Sequence, residues 1–168
     1  VSTAGETKAQ FEWARLQLPG LLPGDLVQVD GKRTAAEQDG RFLLKPGSHE
    51  LRLQRGKLDL GRTIEVREGQ ELVLPLPGIV SLTPDDPSDQ PFAPRLESDA
   101  LDTDWRLAKG SSNVFLVKPG PSIRVEAKAD RYGTQARQLG IGPGQDILLG
   151  LALRADWKVF LDAEKKRK

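Results

Sequence analysis

The sequence predicts an all-β fold: two tandem small β-sandwich-like domains built from antiparallel strands. Three observations carry that reading. The phrase Phe42-Leu-Leu-Lys-Pro-Gly47 returns 73 positions later as Phe115-Leu-Val-Lys-Pro-Gly120. Ile64-Glu-Val-Arg-Glu-Gly-Gln-Glu-Leu-Val-Leu74 lies over Leu139-Gly-Ile-Gly-Pro-Gly-Gln-Asp-Ile-Leu-Leu149 at an offset of 75, so Gly69-Gln70 meets Gly144-Gln145. Finally, 17 glycines and 12 prolines in 168 residues, with only 5% aromatic content, favour short strands and many tight turns over long helices. A period of this size is too long for a solenoid repeat. It suits two globular units, each near the small end of what folds independently.

Boundaries follow from composition. Residues 11–80 form the first module. Residues 81–97 read as a linker because Pro84-Asp-Asp-Pro-Ser-Asp-Gln-Pro-Phe-Ala-Pro94 lacks several amide donors and carries charge that gains little from burial. Residues 98–162 form the second, more divergent module, and residues 163–168 a basic tail.

Within the first module, Phe11-Glu-Trp-Ala-Arg-Leu-Gln-Leu18 alternates in polarity, placing Phe11 and Trp13 towards a core, with Leu16 or Leu18 joining after a break in phase. Asp25–Asp30 is a short strand with Val27 and Val29 inward, and Asp30-Gly31 makes the following turn. Gly40–Leu44 is a strand that Pro46-Gly47 ends. In the next strand His49, Leu51 and Leu53 share one face, and Glu50, Arg52 and Gln54 the other. Gly61–Arg67 points Ile64 and Val66 inward, Gly69 turns the chain, and Glu71–Leu76 closes the copy at an edge, as Pro75 requires.

The second copy is less legible. Asp102–Ala108 offers Trp105 and Leu107 to one face, and Pro119-Gly120 repeats the earlier turn. Ile123, Val125 and Ala127 then alternate with charged neighbours, Gly144 repeats the turn of Gly69, and Ile147–Leu153 closes the unit. Ser122 stands near the place of His49. Trp157, Val159 and Phe160 form an apolar patch expected to cover an open core, as Trp13 would near the other end.

Charge and chemistry exclude more than they assign. With 25 basic and 24 acidic residues there is no field to attract nucleic acid, and Lys165-Lys-Arg-Lys168 reads as a solvated end. No cysteine is present, so disulfides and thiolate chemistry are absent. The apolar passage Leu72–Val80 is far shorter than the roughly 20 residues that span a bilayer. Beginning at Val1 without any methionine, the sequence reads as a mature chain or a fragment, whose signal peptide or membrane anchor would lie outside it.

A lone His49 cannot form a histidine cluster, and it reads as a satisfied structural residue at the Pro-Gly turn. Asp85, Asp86 and Asp89, like Asp99, Asp102 and Asp104, lack the spacing of a calcium loop. Neither a phosphate-binding glycine loop nor a Gly-x-Ser-x-Gly element occurs, so no catalytic residue, metal or cofactor is expected.

Val27-Gln-Val-Asp-Gly31, Leu44-Lys-Pro-Gly-Ser-His-Glu-Leu-Arg-Leu53 and Val66-Arg-Glu-Gly-Gln70 together resemble the PEGA family over about residues 18 to 76. The eponymous Pro-Glu-Gly-Ala element is not reproduced. The resemblance implies modules of bacterial and archaeal surface proteins, some beside the membrane-anchored segment of serine/threonine kinases.

On that basis the expected function is a noncatalytic tandem module of a bacterial cell-envelope or surface protein, periplasmic or extracellular. It would serve as spacer, protein-docking element or regulatory ectodomain, with a protein or envelope component as partner. The alternative is a carbohydrate-binding or sensory ectodomain whose contacts would be Trp105, Tyr132 and Trp157.

Overall fold

In a computed structural model of the protein, residues 12–85, 92–109 and 113–152 are described. No helix occurs among them; the elements are fourteen strands. The chain divides into two compact units. One holds the described residues up to Leu76 together with the stretch Thr103–Gly110, and the other Pro77–Asp102 together with the described residues from Asn113 onward.

In unit 1, β1 (Ala14–Gln17), β4 (Phe42–Leu44) and β7 (Glu71–Val73) form a three-stranded sheet in the order β4-β1-β7. The other sheet runs β10-β6-β5-β2-β3, from β2 (Leu26–Val29), β3 (Lys32–Arg33), β5 (Gly47–Arg55), β6 (Leu58–Val66) and β10 (Arg106–Lys109). Ala14, Leu16, Phe42 and Leu44 from the first sheet are buried, as are Val27, Leu51, Leu53, Leu60, Ile64 and Val66 from the second. Those positions obey the period-two alternation of half-buried strands.

Unit 2 repeats the frame. β8 (Gly78–Pro84) lies between β11 (Val114–Val117) and β14 (Asp146–Leu151), and β12 (Gly120–Lys128) lies between β13 (Gln135–Ile141) and β9 (Arg95–Glu97). Val80, Leu82, Val117, Leu149 and Leu151 from one sheet join Leu96, Val125, Ala127 and Ile141 from the other in a single core.

The duplication extends to register. Arg15 pairs with Leu43 and Glu71, and Ile79 with Leu116 and Asp146; the two partners of Ile79 are those of Arg15 displaced by the sequence offsets of 73 and 75. Likewise Gly47 faces Val66 and Gly120 faces Ile141. A shift between Gly120 and Ile123 then brings Ile123 opposite Leu139, where His49 is opposite Ile64 in unit 1. That extra residue is a β-bulge, and it displaces Ser122 from the histidine's position.

Several expectations change. Residues 81–85 and 95–97, assigned to a linker, lie in or beside strands of unit 2, so the second module begins near Pro77 rather than at 98. The prolines there sit at strand ends, where a missing amide costs little. The segment around Trp105 supplies β10, which joins the sheet of unit 1 beside β6 through the pairs Arg106↔Gly61 and Leu107↔Leu60. Not all pairings are antiparallel: β1 with β7, and β8 with β14, run parallel.

Trp13, expected inward, is 45% exposed, because period two puts it on the face of Arg15 while Ala14 and Leu16 take the core. Val27 is buried, but Val29 is only half-buried. The readings for Phe11, Asp86, Asp89, the apolar patch at Trp157, Val159 and Phe160, and the basic tail fall outside the described residues.

Candidate functional site

The polar side chains of unit 1 converge at three places. Two of them hold turns. Asp30 and Gly31 both have positive φ, 52° and 81°, between Val29 and Lys32, which pair directly. This is the two-residue Asp-Gly hairpin turn whose twist matches its strands. Asp30 Oδ1 accepts the Glu50 amide at 2.9 Å, and the Asp30 amide donates to the Glu50 carbonyl at 2.9 Å. Asp30 Oδ2 lies 2.6 Å from His49 Nδ1, and His49 Nε2 lies 2.6 Å from the Lys45 carbonyl.

Both partners of the imidazole are acceptors, so the doubly protonated ring is the form that donates to each. Partial burial opposes that charge, but the Lys45 carbonyl and the Asp30 carboxylate outweigh it and hold the His49 pKa above its ordinary 6.5. Asp30 is held below the ordinary carboxylate value by the Glu50 amide first and by His49 second.

At the second place, Arg55 Nε and Nη2 donate to Asp25 Oδ1 and Oδ2 at 2.9 and 2.7 Å, and Nη2 also reaches the Gly20 carbonyl at 3.1 Å. Asp25 Oδ2 further accepts the Leu22 amide at 2.8 Å. The Asp25 side chain is 3% exposed and that of Arg55 13%. Burial raises the Asp25 pKa, yet Arg55 and the Leu22 amide overcome it and the net direction is down. The fork ties the loop before β2 to the end of β5.

The third place is a groove of about 540 Å³ on the sheet that holds β10, lined by Glu50, Arg52, Gly61, Thr63, Thr103 and Arg106 among others. Cross-strand register sets Arg106, Gly61, Arg52, Gln28 and Arg33 in one row, so three arginines share one face and Gly61 leaves a gap between two of them. Arg52 is already near Glu50 at 3.6 Å and Asp59 at 3.8 Å. Sequence reading did not find this row. The outward parity of Arg52 was its visible sign, but the neighbour Arg106 comes from a segment 45 residues beyond its partner Gly61.

The residues proposed as ligand contacts are elsewhere. Trp105 is 2% exposed, with the Arg62 guanidinium 5.6 Å from its ring centroid and Asp104 4.0 Å from Arg62. Tyr132 is 4% exposed and meets Phe92 edge-to-face at 5.1 Å. Neither ring offers the open face that stacking on a sugar needs, so both are corrected to packing residues; Trp157 lies outside the described residues.

Among the turn residues, Gly47, Gly69 and Gly144 have φ of 129°, 68° and 68°, and Pro46 and Pro119 directly precede the strands that begin at Gly47 and Gly120. Gly120 is not in the positive-φ region that Gly47 occupies. Among the described residues no three His, Cys, Asp or Glu side chains gather as metal ligands, and no helix is long and apolar enough to cross a membrane.

No family model matches the chain, and no characterised protein sequence matches it. A solved structure titled "The Bacillus anthracis TIE protein" aligns with 85% of this chain and 34% of its own, at 12% identity and a TM-score of 0.29. The chain thus spans about a third of that protein's length.

Proposed function

We propose that the chain is a noncatalytic tandem β module of a bacterial cell-envelope or surface protein, divergent from but similar to PEGA modules, acting as a spacer with protein docking as a secondary role. One observation supports this above others: the duplication repeats a backbone frame and its register, not a side-chain site. The His49–Asp30 and Asp25–Arg55 constellations of unit 1 are not carried by the same residues at the repeated positions of unit 2, where Lys128 stands 73 residues after Arg55 and Ser122, near the place of His49, accepts a bond from Gln138 at 2.7 Å. Duplicated recognition would keep the recognising groups, whereas duplicated length needs only the fold.

The alternative, a carbohydrate-binding ectodomain, moves from the aromatic rings to the groove beside Gly61, whose arginines, threonines and the carboxylates of Glu50 and Asp104 offer both donors and acceptors to sugar hydroxyls. Sedimentation of the purified chain with peptidoglycan and envelope polysaccharides separates the two. A spacer gives no saturable retention above control. Saturable retention that a folded Arg52→Ala, Arg106→Ala variant loses would replace the spacer reading with carbohydrate recognition.

A further inference from the structure

We propose that the module bears tension, with the parallel strand pairs β1–β7 in unit 1 and β8–β14 in unit 2 acting as shear clamps. This deepens the spacer reading and rests on it. In unit 2 the opening strand β8 and the closing strand β14 are neighbours and run parallel over six registered pairs, from Asp146↔Ile79 to Leu151↔Pro84. Backbone bonds frame this run at both ends: the Ile79 amide donates to the Gln145 carbonyl at 2.8 Å, and the Asp85 amide to the Leu151 carbonyl at 2.9 Å.

Tension along the chain pulls β8 from its leading end and β14 from its trailing end. In a parallel pair those ends lie at opposite extremities, so the load acts along the strands. The interstrand bonds must then yield together. Antiparallel opening and closing strands would present both loaded ends at one extremity and peel bond by bond.

Unit 1 has the same arrangement in shorter form. β1 and β7 are parallel over three registered pairs, flanked by amide bonds from Arg15 to Gln70 at 2.8 Å, Leu74 to Gln17 at 2.9 Å and Leu76 to Pro19 at 2.9 Å. Water access differs as well. Both clamps have a buried face, through Val80, Leu82 and Leu151 in unit 2 and Ala14 and Leu16 in unit 1, but the register position that Ile79 holds at 2% exposure in β8 is taken in β1 by Arg15, which is exposed. Water that reaches a strained bond replaces it, so shielding raises the load a clamp carries. Unit 1 should therefore yield first.

Single-molecule force spectroscopy on the full chain tests this. The absence of cysteine lets handles be placed at chosen positions. Pulled through its two ends, the chain should unfold in two steps, releasing about 200 Å and then about 250 Å at roughly 3.5 Å per residue. With handles at Thr83→Cys and Ala152→Cys, the same two strands are loaded from one extremity. The force for unit 2 should then fall at least about twofold.

A proline pair supplies the residue-level check. The Gln145 and Leu151 carbonyls both face β8, so period two turns the Ile147 amide towards β8 and the Leu148 amide away from it. Ile147→Pro should weaken unit 2 under end-to-end load, and Leu148→Pro should not. Equal forces in the two pulling geometries would overturn the clamp, whatever the folding of the proline variants. Failure of the spacer reading would show separately, as saturable polysaccharide retention.

Discussion

His49 Nδ1 sits 2.6 Å from Asp30 Oδ2, joining a hairpin turn after β2 to the start of β5, 19 residues on. The bond explains why the one histidine of the chain follows a Pro-Gly turn: β5 pairs with β2, so a side chain at its start reaches the turn that β2 enters. The imidazolium donates at both ends, to a carboxylate and to a carbonyl, and neither acceptor could serve a neutral ring at both nitrogens.

A pH window follows. Because the folded His49 pKa lies above 6.5, its contribution is fully present below that value and is lost as pH rises through the folded pKa. Asp30, lowered from 3.8, contributes above 3.8 and loses its contribution as pH falls through its folded pKa. The brace is therefore complete between these ordinary values. His49→Ala should cost unit 1 about 1 kcal/mol near pH 5 by urea denaturation, and clearly less near pH 9. A cost independent of pH would mean that the ring acts by packing alone.

Asp25→Ala should be the more damaging change. It leaves the Arg55 guanidinium, 13% exposed, without the carboxylate it grips through two nitrogens, and the Leu22 amide without its acceptor. Removing one partner of a mostly buried pair costs about 3 kcal/mol. Thermal and urea unfolding of unit 1 would report it. A loss under about 1 kcal/mol would show that the pair contributes no more than a surface bridge.

Gln70 and Gln145 make the repeated Gly-Gln signature intelligible. The Gln70 side-chain oxygen accepts the Arg67 amide at 2.9 Å, and the Gln145 oxygen accepts the Gly142 amide at 2.8 Å, each closing its own turn across a glycine of φ 68°. Gln70→Ala and Gln145→Ala should each cost about 1 kcal/mol, each in its own unit. Replacement by Glu, which keeps the accepting oxygen, should restore most of that loss.

Local patterns carried much of this structure and topology the rest. The period-two runs at Leu51, Leu53, Ile64 and Val66 place core residues correctly because a strand's alternation depends only on burial of one face. The glycine turns were legible because positive φ singles out glycine. Trp13 departs from that pattern because its bulk suggests the core, whereas the phase of the strand gives the core to Ala14 and Leu16. The reassigned segments failed for another reason: β8 pairs with β14 across 60 or more residues, and β10 leaves its sequence neighbours for β6, so nothing nearby records either partner. The arginine row depends on that same distant pairing and was hidden with it.

Gly78→Ala tests the opening of unit 2 at the scale of one methyl group. A Cβ on Gly78 would overlap Ile141 Cδ1, stand 2.7 Å from Ile141 Cγ1 and come within 3.2 Å of Val117 Cγ2. All three atoms belong to buried side chains, where surrounding packing limits retreat, so overpacking should cost unit 2 about 1 to 3 kcal/mol. The φ of Gly78 is not in the region reserved for glycine, which makes the penalty one of space and not of backbone. Ile141→Val removes the overlapping Cδ1 and alone should cost about 1 kcal/mol as a small cavity. Combined with Gly78→Ala it should recover part of the loss, giving a favourable coupling of about 1 kcal/mol in a double-mutant cycle. Strictly additive losses would show instead that β8 shifts to accommodate the methyl group, and with it the register that β14 shares.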